Sequence, residues 1–576
     1  MDKVTVIIDG KQVCVDANTT VLEAARNVHV SIPTLCYHPD QKVKGNCRVC
    51  IVEVEGQSGF TAACCTPVRD GMKIYTHSKR IREARKTILQ LILSSHRCEC
   101  LSCRRNGNCE LQKLCEELNI DVNNLDKFVD LLPIDDSNPS IVRDLSKCIK
   151  CGRCVEACHD VQGVGAIYPV NRSDDMRITP AYGKNLRDVQ CVYCGQCINV
   201  CPVGAIYEKD DTDKVWDALE DPEKHVIVQM APAVRVALGE EFGMPSGSIV
   251  TGQIVSFLRK AGFDRVFDTN FTADLTIIEE GNELIERIQH NGRLPMLTSC
   301  SPGWIRYIEL FYPELLEHLS TCKSPQQMFG ALAKSYYAEK YNIDPKDIVV
   351  VSIMPCTAKK SEAVRGEMKD SGFQDVDIVI TTRELARMIK VSGIRIEHLE
   401  EEDFDLPFGI STGAGAVFGA TGGVMEAALR TVYEVITKEA LNDIDFKNLR
   451  GIEGFKEAEI PVGDIRVKVA VVNGLKNAKY ILDLIKEGKA DYHFVEIMCC
   501  PGGCIGGGGQ PIPGTKEIKE KRIEAIYRVD MASALRKSHE NPVVKALYEE
   551  YLKKPLGEKS HKLLHTHYSD KSEIVE

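Results

Sequence analysis

The sequence predicts an α/β domain over residues 222–576, preceded by three small cysteine-rich α+β modules over residues 1–78, 79–125 and 138–209. Two observations lead to this division. Most of the 25 cysteines lie before residue 210, in short and regular spacings. Beyond residue 222, segments typical of strands and helices alternate. Runs such as Val349–Val351 and Val469–Val472 are apolar on both faces, as expected of parallel strands covered by helices.

The first module begins with a predicted β-hairpin, in which Val4, Val6 and Ile8 alternate before an Asp-Gly turn. A short helix is expected over about residues 20–28. Four cysteines then have the spacing C-x10-C-x2-C-x13-C, namely Cys36, Cys47, Cys50 and Cys64. The spacing resembles that of plant-type 2Fe-2S ferredoxins, which implies a β-grasp fold and one 2Fe-2S cluster. Cys65 is a rival for the last ligand, but the order Ala-Cys-Cys-Thr-Pro resembles the family's A-C-x-T-P ending and favours Cys64.

The second module combines a helix with a mixed set of ligands. From Ser78 to Ser95 apolar residues recur at helical spacing, which predicts that Ile88 and Leu91 pack inward while Arg85 faces water. The pattern H-x3-C-x2-C-x5-C follows, formed by His96, Cys100, Cys103 and Cys109. It resembles a pattern of respiratory complex I and of hydrogenases. One imidazole and three thiolates suit a 4Fe-4S cluster, and the neutral ligand makes such a cluster easier to reduce.

The third module carries two copies of the spacing C-x2-C-x2-C-x3-C. The first copy is Cys148, Cys151, Cys154 and Cys158, and the second is Cys191, Cys194, Cys197 and Cys201. In two-cluster bacterial ferredoxins, three cysteines of each run hold one 4Fe-4S cube and the fourth ligates the other cube. The sequence therefore predicts that Cys201 completes the first cube and Cys158 the second. Zinc sites close with four ligands and do not need interlocked sets, so transfer of single electrons is the predicted function of this module.

Composition narrows the class of protein further. Cysteines in ligand spacings along a long chain indicate reduced thiols rather than the disulfide framework of a small secreted domain. The most apolar stretch, residues 226–238, is short and contains Arg235, so no membrane insertion is expected. A formal net charge of −11 argues against binding to nucleic acid. The prediction is a cytoplasmic protein.

Three segments of the α/β domain place cysteines directly after predicted strands, where the sites of such domains form. They read T-S-C-S-P-G-W from Thr298, M-P-C-T-A-K-K-S-E from Met354 and E-I-M-C-C-P-G-G-C from Glu496. These segments resemble the signatures T-S-C-C-P-x-W, M-P-C-x-x-K-x-x-E and E-x-M-x-C-x-x-G-C of the iron-only hydrogenases. The resemblance extends over the whole chain, including the order of the accessory modules.

The resemblance implies two doubly wound parallel-sheet halves around an active-site cluster, the H-cluster. In this family a 4Fe-4S cube shares a cysteine with a di-iron subsite that carries carbon monoxide, cyanide and a dithiolate amine. By match, Cys504 is the shared thiolate, and Cys356 and Cys500 ligate the cube. The implied cofactors are one 2Fe-2S cluster, three accessory 4Fe-4S clusters and the H-cluster.

One position departs from the family pattern. The first signature normally has two cysteines, the first relaying protons and the second ligating the cube, whereas here Cys300 is followed by Ser301. Carried over by position, Cys300 is the proton relay and Ser301 a cluster ligand, although an alkoxide is a harder donor than a thiolate. Two alternatives stay open: Cys300 shifts into the ligand role, or one of the additional thiols of Cys322 and Cys499 compensates.

The remaining site residues follow from the same match. Lys359 is expected to donate a charge-assisted hydrogen bond to a cyanide ligand. Ala231, Pro232 and Gln326 are expected to line the diatomic ligands, and Met354 and Met498 to pack around the subsite. Protons are expected to travel through Cys300, Glu280, Ser320, Glu283 and Arg287, spaced within hydrogen-bond reach. Without the resemblance, Glu280 and Glu283 would be read as the solvated face of a helix.

The resemblance implies an enzyme that interconverts protons and hydrogen, with electrons relayed through the accessory clusters. Expected partners are ferredoxin or an NAD(P)-binding flavoprotein with a 2Fe-2S companion subunit, and maturation proteins for the di-iron subsite. The tail over residues 560–568 is closer to the NADP-reducing type and favours a hetero-oligomer. Two alternatives are a redox or hydrogen sensor of low activity, which Ser301 favours, and an electron-transfer subunit like that of complex I, against which the two later signatures argue.

Overall fold

The computed structural model describes residues 3–122, 125–441, 443–463 and 465–575, so residues 123 and 124 of the predicted second module lie outside it. The first module contains the strands β1 (Lys3–Ile8), β2 (Lys11–Asp16), β3 (Ile51–Val54), β4 (Phe60–Ala62) and β5 (Lys73–Tyr75). They form one sheet in the order β2-β1-β5-β3-β4, with β1 parallel to β5. The predicted hairpin is confirmed: Asp9 and Gly10 have φ of 47° and 81° and close the antiparallel pair β1–β2.

The helix Lys79–Ser94 begins after the N-cap Ser78, within the predicted range, but the predictions for Leu91 and Arg85 are wrong. Leu91 is 68% exposed, whereas Arg85 is only 6% exposed. The guanidinium of Arg85 donates to the backbone carbonyls of Val49 and Ile51, at 3.2 and 2.7 Å. Buried carbonyls need a donor, so a cation with several N–H groups replaces an apolar residue at this contact.

The third module consists of short strands and short helices joined by loops. Its strands are β6 (Ile141–Arg143), β7 (Tyr168–Val170), β8 (Arg177–Thr179) and β9 (Ile206–Glu208). β6 pairs with β9 and β7 pairs with β8, both antiparallel. Two short helices, Arg153–Glu156 and Gln196–Val200, each start after a left-handed glycine within one of the two cysteine runs. The paired strands thus hold the two runs side by side.

The α/β domain contains two separate four-stranded sheets. Its strands are β10 (His225–Met230), β11 (Arg265–Asp268), β12 (Met296–Leu297), β13 (Ile348–Met354), β14 (Ile378–Thr381), β15 (Phe455–Val462), β16 (Ile465–Asn473) and β17 (Phe494–Met498). The first sheet has the order β11-β10-β13-β14 and is parallel throughout. The second has the order β12-β17-β16-β15, in which only β15 runs antiparallel. The predicted parallel halves are therefore present, with an antiparallel strand at the edge of the second.

Helices cover both sheets and supply the walls of the space between them. The longer ones are Thr212–Glu220, Thr251–Ala261, Thr269–Gln289, Pro302–Phe311, Pro325–Leu332, Thr382–Ser392, Gly423–Thr437, Leu475–Lys486 and Lys516–Ala532, followed by Pro542–Leu547 and Glu558–Leu564 near the end of the chain. Two further α-helices of the accessory modules are Val21–Asn27 and Glu110–Glu117. Among the described residues, none of these helices has the length and apolar character needed to cross a membrane.

Candidate active site

The four cysteines of the first module lie together at one end of its sheet. The backbone N–H of Cys47 lies 3.5 Å from Sγ of Cys36. The thiols of Cys50 and Cys64 hydrogen-bond to each other, and this contact lowers the pKa of Cys50 to about 7. Cys64 is buried and Cys65 is exposed, so the chain directs the first of the two adjacent thiols toward the other three.

In the second module, His96 is buried and its Nδ1 has no protein partner. Burial lowers the pKa of this imidazole, so the neutral form needed by a metal ligand is favoured. Cys103 and Cys109 interact electrostatically, and burial raises the pKa of Cys109. Cys100 is exposed. A buried, neutral ring nitrogen without a protein partner fits the ligand role predicted for His96.

The third module contains two cavities, and each is lined by three cysteines of one run and one cysteine of the other run. One cavity is lined by Cys148, Cys151, Cys154 and Cys201. The other is lined by Cys158, Cys191, Cys194 and Cys197. Burial and the neighbouring thiols raise the pKa of Cys151 and of Cys191 to about 12. Crowded thiols that resist ionisation in this way fit a cationic metal cluster, which supplies the positive charge that thiolates require.

The three predicted cube ligands of the α/β domain meet where the two sheets face each other. Cys356 follows β13 of the first sheet, while Cys500 and Cys504 follow β17 of the second. Burial raises the pKa of Cys356 well above its ordinary value, and the nearby thiols of Cys500 and Cys504 raise it further. A glycine run closes the space. A Cβ on Gly507 would lie 2.2 Å from the carbonyl oxygen of Pro355, and one on Gly508 would lie 2.3 Å from that of Cys194. Only glycine allows this approach between the active-site loop and the third module.

Ser301 and Cys499 are neighbours, since the backbone N–H of Cys499 donates to Oγ of Ser301 at 3.2 Å. The thiol of Cys499 hydrogen-bonds to the thiols of Cys194 and Cys500, so it stands between the third module and the active site. Cys322 is different. Its buried thiol lies 3.8 Å from a carboxylate oxygen of Glu283 and is surrounded by Glu279, Glu280 and Glu283. These carboxylates, rather than the cube cysteines, are the charged neighbours of Cys322.

Lys359 lies at the mouth of the same space and is 8% exposed. Its Nζ donates to the carbonyl of Cys300 at 3.1 Å and to Oε2 of Glu362 at 2.8 Å. Gln326 is buried, and its Nε2 also bonds Glu362 at 3.0 Å, whereas its Oε1 has no partner. An unpartnered buried amide oxygen beside a cationic lysine fits a pocket that receives a polar group. The other residues predicted to line it, Ala231, Pro232, Met354 and Met498, are all buried.

The five predicted proton-relay residues form a connected set. Burial and the charge of Glu283 raise the pKa of Glu280 to about 8, although a hydrogen bond with Ser320 opposes this rise. Oγ of Ser320 donates to Glu283 at 2.9 Å, and Nη2 of Arg287 lies 2.6 Å from the other oxygen of Glu283. Burial raises the pKa of the Cys300 thiol well above its ordinary value, and the neighbouring Glu280 adds to this rise once it ionises. Both glutamates are buried, so the reading as a solvated helix face is wrong.

Two carboxylates had no assigned role in the sequence, although both stand in the signature segments. Glu362 holds Lys359, Gln326 and, at 2.9 Å, the hydroxyl of Ser324. Glu496 accepts the backbone N–H of Gly422 at 2.6 Å and of Met425 at 2.8 Å, at the start of the helix Gly423–Thr437. Burial raises the pKa of Glu496 to about 7. Their presence in the motifs was the available signal, but apart from Lys359 their partners lie between about 35 and 75 residues away in sequence.

Two sheets whose carboxyl ends enclose a set of thiols, with a cysteine of the third module in contact through Cys499, define an oxidoreductase that moves electrons through iron–sulfur centres. The comparisons with known proteins identify the type. Residues 224–508 match the family described as "Iron only hydrogenase large subunit, C-terminal domain", and residues 516–571 match "Iron hydrogenase small subunit". The accessory regions match a 2Fe-2S binding domain over 1–79, an iron–sulfur binding region of NADH-ubiquinone oxidoreductase over 85–123 and a 4Fe-4S dicluster domain over 147–205.

Two similar proteins align with nearly the full length of the chain, and a solved structure aligns with the larger part of it. It is 49% identical to the NADP-reducing hydrogenase subunit HndD of Solidesulfovibrio fructosivorans, covering 99% of both chains. It is 43% identical to iron hydrogenase 1 of Clostridium pasteurianum, over 98% of this chain and 99% of the other. A solved structure of the FeFe hydrogenase HydA1 from Chlamydomonas reinhardtii superposes with a TM-score of 0.57 at 46% identity, over 63% of this chain and 99% of that chain. The chain therefore belongs to the iron-only hydrogenases.

Proposed function

We propose that this hydrogenase catalyses the reversible reaction of two protons and two electrons to H2 at the space enclosed by Cys356, Cys500 and Cys504. The observation that supports the proposal most strongly is the meeting of these thiols with Lys359 and with the proton-relay residues at one buried place. Electron supply and proton supply thus end at the same site, as the reaction requires.

We propose one 2Fe-2S cluster in residues 1–78, one His-ligated 4Fe-4S cluster in 79–125, two 4Fe-4S clusters in 138–209 and the H-cluster in 222–576. The first would be held by Cys36, Cys47, Cys50 and Cys64, and the second by His96, Cys100, Cys103 and Cys109. The next two would use the crossed cysteine sets of the third module. At the H-cluster, Cys356, Cys500, Cys504 and Ser301 are the proposed ligands. This cluster, when bound, supplies the metal at which hydrogen is formed or split.

The surrounding residues have proposed roles that follow from their chemistry. Cys300 exchanges a proton with the reacting site because its burial keeps the thiol protonated and Glu280 stands next to it. Glu280 passes that proton to Glu283 through the hydroxyl of Ser320. Lys359 presents an ammonium to the site, and Glu362 fixes its position. Met354 and Met498 exclude water from the same space, which strengthens each of these interactions.

Electrons are proposed to enter at the 2Fe-2S module or at the His96 module and to cross the third module to the active site. Cys194 contacts the thiol of Cys499, which in turn contacts Cys500, so the last step joins neighbouring ligand loops. The proposed partners are ferredoxin or an NAD(P)-binding flavoprotein with a 2Fe-2S companion, and maturation proteins. One relative of nearly equal length is an NADP-reducing hydrogenase subunit, which supports the second type of partner. Cytoplasmic localisation stays a prediction that cell fractionation can test.

The test is hydrogen evolution from reduced viologen under strict anaerobiosis, on protein whose carbonyl and cyanide infrared bands are present. We expect rapid evolution that carbon monoxide blocks, and Cys300→Ala should lose most of it because a positioned proton donor contributes about 10²-fold or more. Cys14→Ala, which removes an exposed thiol from β2, is the matched control. Intact bands with negligible evolution in the wild type would instead favour the hydrogen-sensing alternative, for which Ser301 is the supporting observation.

A further inference from the structure

Arg287 is an unsuitable end for the proton relay. Its guanidinium is fixed by Glu283 at 2.6 Å and by the backbone carbonyls of Leu319 and His318 at 2.7 and 3.3 Å. An arginine side chain stays protonated in proteins and has no acceptor atom, so it orients Glu283 but cannot take a proton from it. Exchange with solvent requires a group that both accepts and releases a proton.

A buried imidazole stands beside Glu283 on another side. A ring nitrogen of His565, a carboxylate oxygen of Glu283 and Sγ of Cys322 all lie within 4.8 Å of one another. The backbone N–H of Thr321 donates to Glu283 at 3.1 Å, and the hydroxyl of the same residue lies 2.8 Å from Nδ1 of His565. Since each of these groups has a protein partner, the arrangement suits proton exchange between side chains rather than binding of a cation.

The backbone fixes His565 in this place. The segment that contains it runs antiparallel to the segment around Cys322. The N–H of Lys323 donates to the carbonyl of Leu564, and the N–H of Thr566 donates to that of Thr321, both at 2.7 Å. A residue near the end of the chain is thereby held against the relay, about 280 positions after Glu283 in sequence.

A carboxylate also orients the imidazole of His565. Oε2 of Glu279 lies 3.2 Å from Nε2 and also accepts the backbone N–H of Leu556, while its other oxygen accepts the hydroxyls of Tyr548 and Ser560. Burial opposes ionisation of Glu279, but these hydrogen bonds keep its pKa below the ordinary value. An ionised carboxylate only accepts, so Nε2 carries the proton and Nδ1 is left to exchange one on the side of Thr321.

The path continues to the surface through a second histidine. The ring centroids of His561 and His565 lie 4.3 Å apart, and His561 is exposed on the helix Glu558–Leu564. The two rings are therefore in contact, although no hydrogen bond joins their nitrogens, so a proton that passes between them requires one bridging water. The charged and titratable groups that face His565 are Glu279 and Glu283, Cys322, Tyr548 and His561.

We propose that His565 and His561 form the proton outlet of this hydrogenase, connecting Glu283 with solvent. During hydrogen evolution a proton passes from solvent to His561, then to His565, then to Glu283, and each transfer moves one proton and no electron. The proposal rests on the function proposed above, in which Glu283 supplies Glu280 and Cys300. His565 is thus a residue that acts through Glu283 and does not touch the reacting atoms.

The test compares His565→Gln with a matched control in the intact enzyme. Glutamine can still donate to Glu279 and accept from Thr321 but cannot relay a proton. His539 has the same two kinds of partner, Glu434 at 2.8 Å and the hydroxyl of Thr431 at 3.2 Å, and neither of these residues belongs to the proton relay. We expect His565→Gln to lower proton-limited hydrogen evolution about 10²-fold, to raise the solvent isotope effect and to flatten the pH profile near neutrality. His539→Gln should stay within about twofold of wild type, within the range of ordinary substitutions away from a site.

His561→Ala provides a second test that does not depend on a buried substitution. At low buffer concentration we expect slower evolution, restored to the wild-type rate by added imidazole buffer. Unchanged rate, isotope effect and pH profile in His565→Gln, with unchanged infrared bands, would overturn the proposal, as would a buffer response of His561→Ala equal to that of wild type. An inactive wild-type enzyme with intact bands would count against the proposed function instead.

Discussion

Replacing Glu280 with glutamine should have opposite effects on turnover and on stability. The carboxyl is fully enclosed between Cys300 and Ser320, and burial together with the charge of Glu283 raises its pKa from 4.5 to about 8. The side chain is therefore a protonated donor at neutral pH. Glutamine keeps the shape but cannot pass a proton, so hydrogen evolution should fall about 10²- to 10⁴-fold.

The same pKa determines how stability depends on pH. A rise of this size favours the protonated carboxyl in the folded state by ~5 kcal/mol. In the unfolded chain Glu280 ionises near its ordinary pKa, and in the folded chain it does so only near pH 8. Its contribution to stability is therefore complete below the unfolded pKa and is lost as the pH rises toward 8. Glutamine does not ionise, so Glu280→Gln should gain in Tm relative to wild type across that range.

Two assays on the same preparations check this reasoning. Hydrogen evolution is measured at pH 7 on enzyme with intact infrared bands, and thermal unfolding is followed at pH 5, 7 and 9. Glu524→Gln, on the helix Lys516–Ala532, serves as a control for removing one negative charge from an exposed carboxylate. Wild-type turnover in Glu280→Gln would refute the relay, and a Tm difference that does not grow with pH would refute the raised pKa.

Three further predictions concern the cluster ligands. Ser301→Cys should strengthen retention of the active-site cube because a thiolate is a better ligand for iron than an alkoxide. The measurement is the amount of iron per chain that remains after exposure to a chelator. An equal loss of iron from the variant and from wild type would exclude Ser301 as a ligand. His96→Cys should keep its cluster but lower its midpoint potential, since a negative ligand replaces a neutral one, and an unchanged potential in an EPR redox titration would contradict ligation by His96. Cys64→Ser should alter or abolish the 2Fe-2S EPR signal while Cys65→Ser leaves it intact, and the reverse result would move the fourth ligand to Cys65.

Local sequence was sufficient where a short spacing carries the chemistry. The cysteine spacings predicted the thiol sets that line the two cavities of the third module, including the exchange of Cys158 and Cys201 between the two runs. Short runs apolar on both faces predicted the parallel strands β13 and β16. These signals work because ligand geometry and strand burial both repeat over a few residues.

Side-chain environment was harder to predict. The apolar pattern of the helix Lys79–Ser94 placed Leu91 inward and Arg85 outward, and the structure has the reverse. The carbonyls that Arg85 binds come from a segment more than 30 residues earlier, so helical periodicity contains no information about them. Likewise, the resemblance named Glu280 and Glu283 as proton carriers, but only packing against other helices gives the burial that raises the pKa of Glu280.

The sequence by itself determined the family, the types of cluster and the order of the modules, because these depend on spacings and motifs within contiguous segments. Tertiary structure alone decided what joins these parts. It placed Cys499 between Cys194 and Cys500, directed Cys322 toward carboxylates, and brought His565 beside Glu283. Such contacts connect residues separated by about 40 to 300 positions, and they follow from how sheets and helices pack rather than from any local pattern.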